Sequence, residues 1–126
     1  MKIDDKVMLG RFRGYGWCEI CKKRRKVEPH HSWQKTGMGG GSRLDIRINL
    51  IAVCRSCHNN CEEELVTRDE VLKIVARREL TTPEDIIAVI DFLWKLPKHM
   101  DPDSNSQGLA ESARVLLTKT MDEAPV

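Results

Sequence analysis

Two pairs of cysteines and three histidines give this 126-residue chain most of its chemical character. The cysteines form the motifs Cys18-Glu-Ile-Cys21 and Cys54-Arg-Ser-Cys57. Each CxxC turn can present two thiolates to one ion, and zinc prefers four such ligands in a tetrahedron. The spacing therefore predicts a structural Zn²⁺ site made by Cys18, Cys21, Cys54 and Cys57.

Two other cofactors would use the same cysteines. Cys54-Arg-Ser-Cys57-His58 matches the CxxCH motif for haem attachment, although that chemistry normally requires export. A rubredoxin-like iron site would use both pairs but would leave the histidines unexplained. Absorbance of the purified protein separates the three, because haem and ferric thiolate are coloured and zinc is not. Cys61, four residues after Cys57, is predicted to be a buried thiol rather than a fifth ligand.

His30, His31 and His58 lie close in sequence to the cysteine motifs. Neighbouring residues of a strand point to opposite faces, so His30 and His31 can take different roles. One can face a metal while the other faces water or substrate. His58 directly follows the last cysteine of the second pair, and zinc binding would bring it near His30. Taken alone, a His-His pair beside a proline is also compatible with no function.

The elements that must position these residues follow an α+β pattern. Strands are predicted over 27–33 and 46–53, with a glycine-rich loop over 37–42 and a helix after Cys54 to about Leu65. A capping box from Thr67 to Glu70 and the pair Thr82-Pro83 predict helices over 68–79 and 83–95. We therefore divide the chain into a leader (1–16), a core (17–65), a helical extension (66–96) and a linker with a weakly structured tail (97–126).

Charge is distributed unequally along the chain. Residues 1–60 carry 13 Lys and Arg against 5 Asp and Glu, whereas residues 61–126 carry 8 against 14. A basic half favours contact with a polyanion. The densest run is Lys22-Lys23-Arg24-Arg25-Lys26, for which a solvated turn is the alternative. Phosphate contacts are predicted for this run and for Arg43, Arg47 and Arg55, and binding should then weaken steeply with salt.

Membrane insertion and export are not expected. No stretch approaches the roughly 20 apolar residues that span a bilayer, and the N-terminus lacks the apolar core of a signal peptide. The expected location is a reducing cytoplasm, where cysteines bind metals more often than they form disulfides.

Together these motifs resemble the HNH endonuclease family in its zinc-knuckle, ββα-metal (His-Me finger) form. The resemblance covers about residues 17–65 and rests on Cys18, Cys21, Glu28-Pro-His30-His31, Asn49-Leu-Ile-Ala-Val and Cys54-Arg-Ser-Cys57-His58. The size and the basic N-terminal half are also similar to small HNH proteins of bacteriophages and prophages, which would place the chain in a bacterial host cell.

The resemblance implies a metal-dependent endonuclease that hydrolyses phosphodiester bonds of DNA. It implies that His31 is the general base, that His30 and His58 bind a catalytic divalent ion, and that Asn49 braces the hairpin and orients the base. Glu62 stands where many members carry a third, histidine ligand, and it could bind the ion directly or through water. The ion would be Mg²⁺ or Mn²⁺, while two imidazoles also allow Ni²⁺ or Zn²⁺.

Two functions of other classes use the same features. A non-catalytic zinc-knuckle module that binds nucleic acid would share the cysteines and the basic patch, but it has no need of the histidines and Asn49. A protein-interaction adaptor would dock through the helices at 68–79 and 83–95, which could also form a homodimer. Alternatively, the apolar faces of these helices pack on the core of the same chain.

Overall fold

The computed structural model describes residues 5–32 and 44–95. In this part of the chain the elements are α1 (Lys6–Arg13), β1 (Val27–His31), a 3-10 turn (Arg47–Asn49), β2 (Leu50–Cys54), α2 (Arg55–Glu62), α3 (Arg68–Glu79) and α4 (Pro83–Lys95). The predicted α+β class is confirmed. The predictions for the loop at 37–42, for Arg43 and for residues 97–126 lie outside the described residues.

A two-stranded antiparallel sheet forms the centre of the fold. Its register pairs His30 with Ile51 and His31 with Leu50. All five residues of β2 are buried, because they face the core formed with the surrounding helices. β2 leads directly into α2, which packs against both strands. The hairpin and α2 together therefore bring the His30-His31 pair toward His58, which follows the second cysteine motif.

The second strand begins later than predicted. Residues 46–53 are apolar and rich in β-branched side chains, which favours a strand. Residues 47–49 instead form a 3-10 turn, in which the Asn49 N–H donates to the Ile46 carbonyl at 2.9 Å. Ile46 and Ile48 are still buried. Because the turn buries the same side chains as a strand would, tertiary packing outweighs local propensity here.

From the sequence, residues 1–16 are treated as a leader and no helix is predicted there, whereas the structure contains α1. The Asp5 carboxylate accepts the Met8 N–H at 3.0 Å, which is a typical N-cap. Met8, Leu9 and Phe12 are buried, and α1 packs on the sheet. A helix this short is marginal in isolation. Its stability therefore comes from contacts with the hairpin, which the leader sequence alone does not reveal.

Helices α3 and α4 have the predicted bounds. The hydroxyl of Thr67 accepts the Glu70 N–H, and that of Thr82 accepts the Asp85 N–H, each at 3.2 Å. Their buried side chains belong to one core cluster with the hairpin: Val71, Leu72, Val75, Ile86, Val89, Ile90 and Leu93. The apolar faces thus pack within this chain, and a homodimer through them stays a prediction. None of the described helices is long and apolar enough to cross a membrane.

A buried ion-pair network joins α3 to the first cysteine motif. The Arg78 side chain is 15% exposed and donates to both carboxylate oxygens of Glu19 at 3.0 Å, to Glu79 at 2.9 Å and to the Leu50 carbonyl at 3.0 Å. Glu19 in turn accepts the Ala52 N–H at 2.7 Å. Arg78 therefore fixes α3 against β2 and against the turn that carries Cys18.

Replacing Arg78 by methionine should lower the free energy of unfolding by about 3–5 kcal/mol, because the Glu19 carboxylate would remain buried without its cation. Urea denaturation of the zinc-loaded protein measures the change. Arg77→Met is the matched control, since Arg77 is exposed on the same helix and should cost no more than about 0.5 kcal/mol. Equal stabilities of the two variants would contradict a structural role for the network.

Candidate functional site

The four cysteines of the CxxC motifs meet at one point. The sulfurs of Cys18, Cys21, Cys54 and Cys57 all lie within 4.8 Å of one another. The Cys21 and Cys54 sulfurs are 3.9 Å apart. Thiolates bound to a tetrahedral zinc at about 2.3 Å lie about 3.8 Å from each other. The quartet can therefore hold a structural metal such as zinc, as the spacing predicts.

The thiols of the quartet perturb one another. Burial acts to raise the pKa of Cys54, but hydrogen bonds from Cys57 and the other thiols outweigh it and lower that pKa to about 7. Burial, together with the neighbouring thiols, raises the pKa of Cys57 far above its usual range. Four thiolates this close need a cation to balance their charge. Cys61 lies outside the quartet as a half-buried thiol, and burial raises its pKa.

A cleft of about 520 Å³ opens beside the sheet, between α1 and α2, and is lined by His30, His31, His58 and Glu62. His30 comes from β1 and His58 from α2, and their ring centroids are 4.9 Å apart in an edge-to-face arrangement. Burial, reinforced by His58 and His31, lowers the pKa of His30 to about 4. His30 is thus neutral near pH 7, the form in which an imidazole binds a metal ion.

Carboxylates contact both ring nitrogens of His58. Nδ1 hydrogen-bonds to Glu28, and Nε2 lies 3.4 Å from Oε1 of Glu62. The bond from His58 is the main cause that lowers the pKa of Glu28, which also accepts a bond from Arg55 at 2.9 Å. A carboxylate that holds one nitrogen of a histidine leaves the other nitrogen for a metal. Glu28 is therefore a site residue to which the sequence prediction gave no role.

The spacing of His58 and Glu62 fits a shared ion. Two ligand atoms about 2.1 Å from a tetrahedral ion lie about 3.4 Å apart, as the two side chains do here. Within residues 5–32 and 44–95, however, the cysteine quartet is the one group of three or more potential ligands placed closely enough to hold an ion. An ion bound by His30, His58 and Glu62 would therefore require rotation of at least one of these side chains.

A buried aspartate holds His31. Nε2 of His31 lies 2.7 Å from Oδ1 of Asp45, which is 2% exposed. The His31 side chain is itself 12% exposed, and it lines both the cleft and an adjoining cavity of about 500 Å³. His31 therefore lines the cleft while its Nε2 is bonded to Asp45. The sequence prediction missed Asp45, whose one local signal is an acidic residue within an apolar segment.

Asn49 lies just before β2 and is buried. Its side-chain amide donates to the Leu44 carbonyl at 3.0 Å, and its side-chain oxygen accepts the Ser32 hydroxyl at 3.2 Å. Its backbone carbonyl accepts the Ser32 N–H at 2.8 Å. Asn49 thus ties the residue that follows β1 to the segment that enters β2. Its predicted effect on the orientation of His31 stays a prediction.

The basic residues predicted to contact phosphates occupy different places. Arg55 lines the cleft, together with Arg13, which the prediction omitted. Arg47 instead pairs with Glu79 at 2.9 Å, and Lys22 lies 5.5 Å over the ring of Trp17. Residues 23–26 are exposed and line neither the cleft nor the adjoining cavity. Phosphate contacts from the basic run stay a prediction.

Comparison of the chain with protein-family models, with curated proteins and with solved structures finds no match. Function must therefore be inferred from the residues of the cleft and their geometry.

Proposed function

We propose that this protein is a metal-dependent endonuclease of the HNH type, with β1, β2 and α2 as its ββα-metal core. The observation that carries the proposal is the meeting of His30 from β1 with His58 from α2 in one cleft, with ring centroids 4.9 Å apart. Two imidazoles from separate elements, beside a third at His31 and a carboxylate at Glu62, are a donor set that a pure binding module does not need.

His31 is the proposed general base. Its Nε2 is bonded to Asp45, so Nδ1 is the nitrogen that accepts a proton from the attacking water. Histidine suits this task because its ordinary pKa of about 6.5 lies near working pH. The water oxygen bonds to phosphorus as the bond to the 3′ oxygen breaks, and the departing 3′ oxygen takes up a proton from solvent water. The products are a 5′-phosphate and a 3′-hydroxyl end.

His30, His58 and Glu62 would hold the divalent ion. When bound, the ion supplies Lewis-acid stabilisation of the negative charge that develops during phosphodiester hydrolysis. Two nitrogen ligands and one carboxylate favour Mn²⁺ over Mg²⁺, which prefers oxygen. Arg13 and Arg55 on the cleft wall provide positive charge for the phosphates on either side of the scissile bond.

Incubation of the purified chain with supercoiled plasmid in Mg²⁺, Mn²⁺, Ni²⁺ or Zn²⁺ tests the proposal. Nicked or linear DNA is expected, formed faster with Mn²⁺ than with Mg²⁺. Glu62→Gln should raise the Mn²⁺ concentration for half-maximal rate by about tenfold or more, since it removes a charged ligand. Glu63→Gln is the matched control, because Glu63 directly follows Glu62 in the chain and is also exposed.

Intact plasmid in every metal would contradict the nuclease proposal. If the chain still bound the DNA under those conditions, with an affinity that falls with salt, the non-catalytic zinc-knuckle module would be the better description.

A further inference from the structure

We infer that Asp45 is a positioning residue for His31, whose buried carboxylate fixes the imidazole as the tautomer protonated on Nε2. In the proposed mechanism, Nδ1 then carries the lone pair that accepts a proton from the attacking water. The inference rests on the proposed nuclease function and deepens it, because it names the group that prepares the base for its reaction.

The geometry around Asp45 leaves its carboxylate little freedom. Oδ1 lies 2.7 Å from Nε2 of His31, and Oδ2 accepts the backbone N–H of Asp5 at 3.0 Å. A carboxylate that is 2% exposed needs donors on both oxygens, since an unpaired buried charge is costly. A carboxylate can only accept hydrogen bonds. The proton of the short contact therefore belongs to Nε2 of His31.

This arrangement matters for the chemical step in two ways. An imidazole with the other tautomer would present an N–H to the water and could not accept its proton. The negative charge behind the ring also stabilises the imidazolium that forms after proton transfer, as the aspartate does in Ser-His-Asp enzymes. Asp45 touches neither DNA nor water in this scheme. It acts through His31.

Asp45→Asn tests the inference with almost no change in shape. The amide oxygen can keep the bond from Asp5, which turns the NH₂ group toward His31. That group only donates, so His31 must carry its proton on Nδ1. We expect the single-turnover rate of plasmid cleavage at saturating Mn²⁺ to fall by about 10²- to 10⁴-fold. The KM for DNA and the zinc content should stay unchanged.

The ring ¹⁵N chemical shifts of His31 report the tautomer directly. The wild-type protein should show a protonated Nε2 and an unprotonated Nδ1, and Asp45→Asn should show the reverse. This measurement on the wild type needs neither activity nor a folded variant. A wild-type His31 protonated on Nδ1 would overturn the inference even if the variant failed to fold.

Asp5→Ala is the matched control for a merely structural effect. It removes the side-chain cap of α1, at a cost of about 1 kcal/mol, but it keeps the backbone N–H that reaches Asp45. In Asp5→Ala, His31 should have the same tautomer as in the wild type, and the cleavage rate should lie within a few-fold of the wild-type rate. If Asp45→Asn lost no more rate than Asp5→Ala, the inference would be wrong. A wild-type chain that is inactive in every metal would instead refute the proposed function. The ¹⁵N shifts would still show whether Asp45 fixes the tautomer of His31.

Discussion

Replacement of His31 by alanine should lower the rate of plasmid cleavage by about 10²- to 10⁴-fold, the range that a general base contributes. In the proposed mechanism, the substitution removes the nitrogen that takes the proton from water. His30, His58 and Glu62 remain in place, so the Mn²⁺ concentration for half-maximal rate should change little. Single-turnover cleavage of supercoiled plasmid at saturating Mn²⁺ measures the effect. Circular dichroism and zinc content show that the fold persists.

His31→Gln accompanies the alanine variant, because alanine leaves the buried Asp45 carboxylate without its partner. The glutamine amide can donate to Asp45 but cannot accept a proton from water at neutral pH. Added imidazole should restore part of the rate in His31→Ala and none in His31→Gln, where the side chain fills the space. A wild-type rate in either variant would remove His31 from the mechanism.

Replacement of Cys54 by serine should unfold the domain or leave it without zinc. A structural zinc site contributes about 10–16 kcal/mol to folding at pH 7, which matches or exceeds the roughly 5–15 kcal/mol net stability of typical domains. Cys54 also ends β2 immediately before α2, so its loss should disturb the helix that carries His58 and Glu62 on the wall of the cleft. Circular dichroism and the number of zinc ions per chain measure the result.

Cys61 of the same chain provides a control for that experiment. Cys61 lies on α2 as Cys57 does, but it is half-buried and outside the quartet. Cys61→Ser should fold, retain one zinc ion per chain and cleave plasmid at a rate close to that of the wild type. A Cys54→Ser protein that folded with a full complement of zinc would show that the fourth thiolate is dispensable. Loss of zinc from Cys61→Ser would mean that the quartet is wrongly assigned.

Short-range signals account for what the sequence predicted well. A CxxC turn determines its own geometry within four residues, so the four cysteines that could hold zinc can be recognised without knowing the fold. The same is true of α3 and α4, whose caps at Thr67 and Thr82 lie within three residues of the N–H groups that they bind. These features depend on local chemistry, and local chemistry is visible in a single sequence.

Contacts between distant residues account for what was missed. Asp45 acquires its role from His31, 14 positions earlier, and no periodicity links the two. Arg47 has the charge expected of a phosphate contact, yet Glu79, 32 positions later, engages it instead. The formal charge of a side chain indicates which kinds of partner it can bind. Only the fold determines which of those partners lies within contact distance.

The order of residues along α2 has a consequence for a cell that would carry this protein. Cys57, one of the four cysteines that could hold a structural ion, is followed immediately by His58, which lines the cleft. In a chain without the structural ion, we therefore expect the proposed catalytic site in the cleft to be disassembled as well. Under the proposed function, such a chain would not cleave nucleic acid, and cutting activity would arise only in molecules whose folding had been completed by metal.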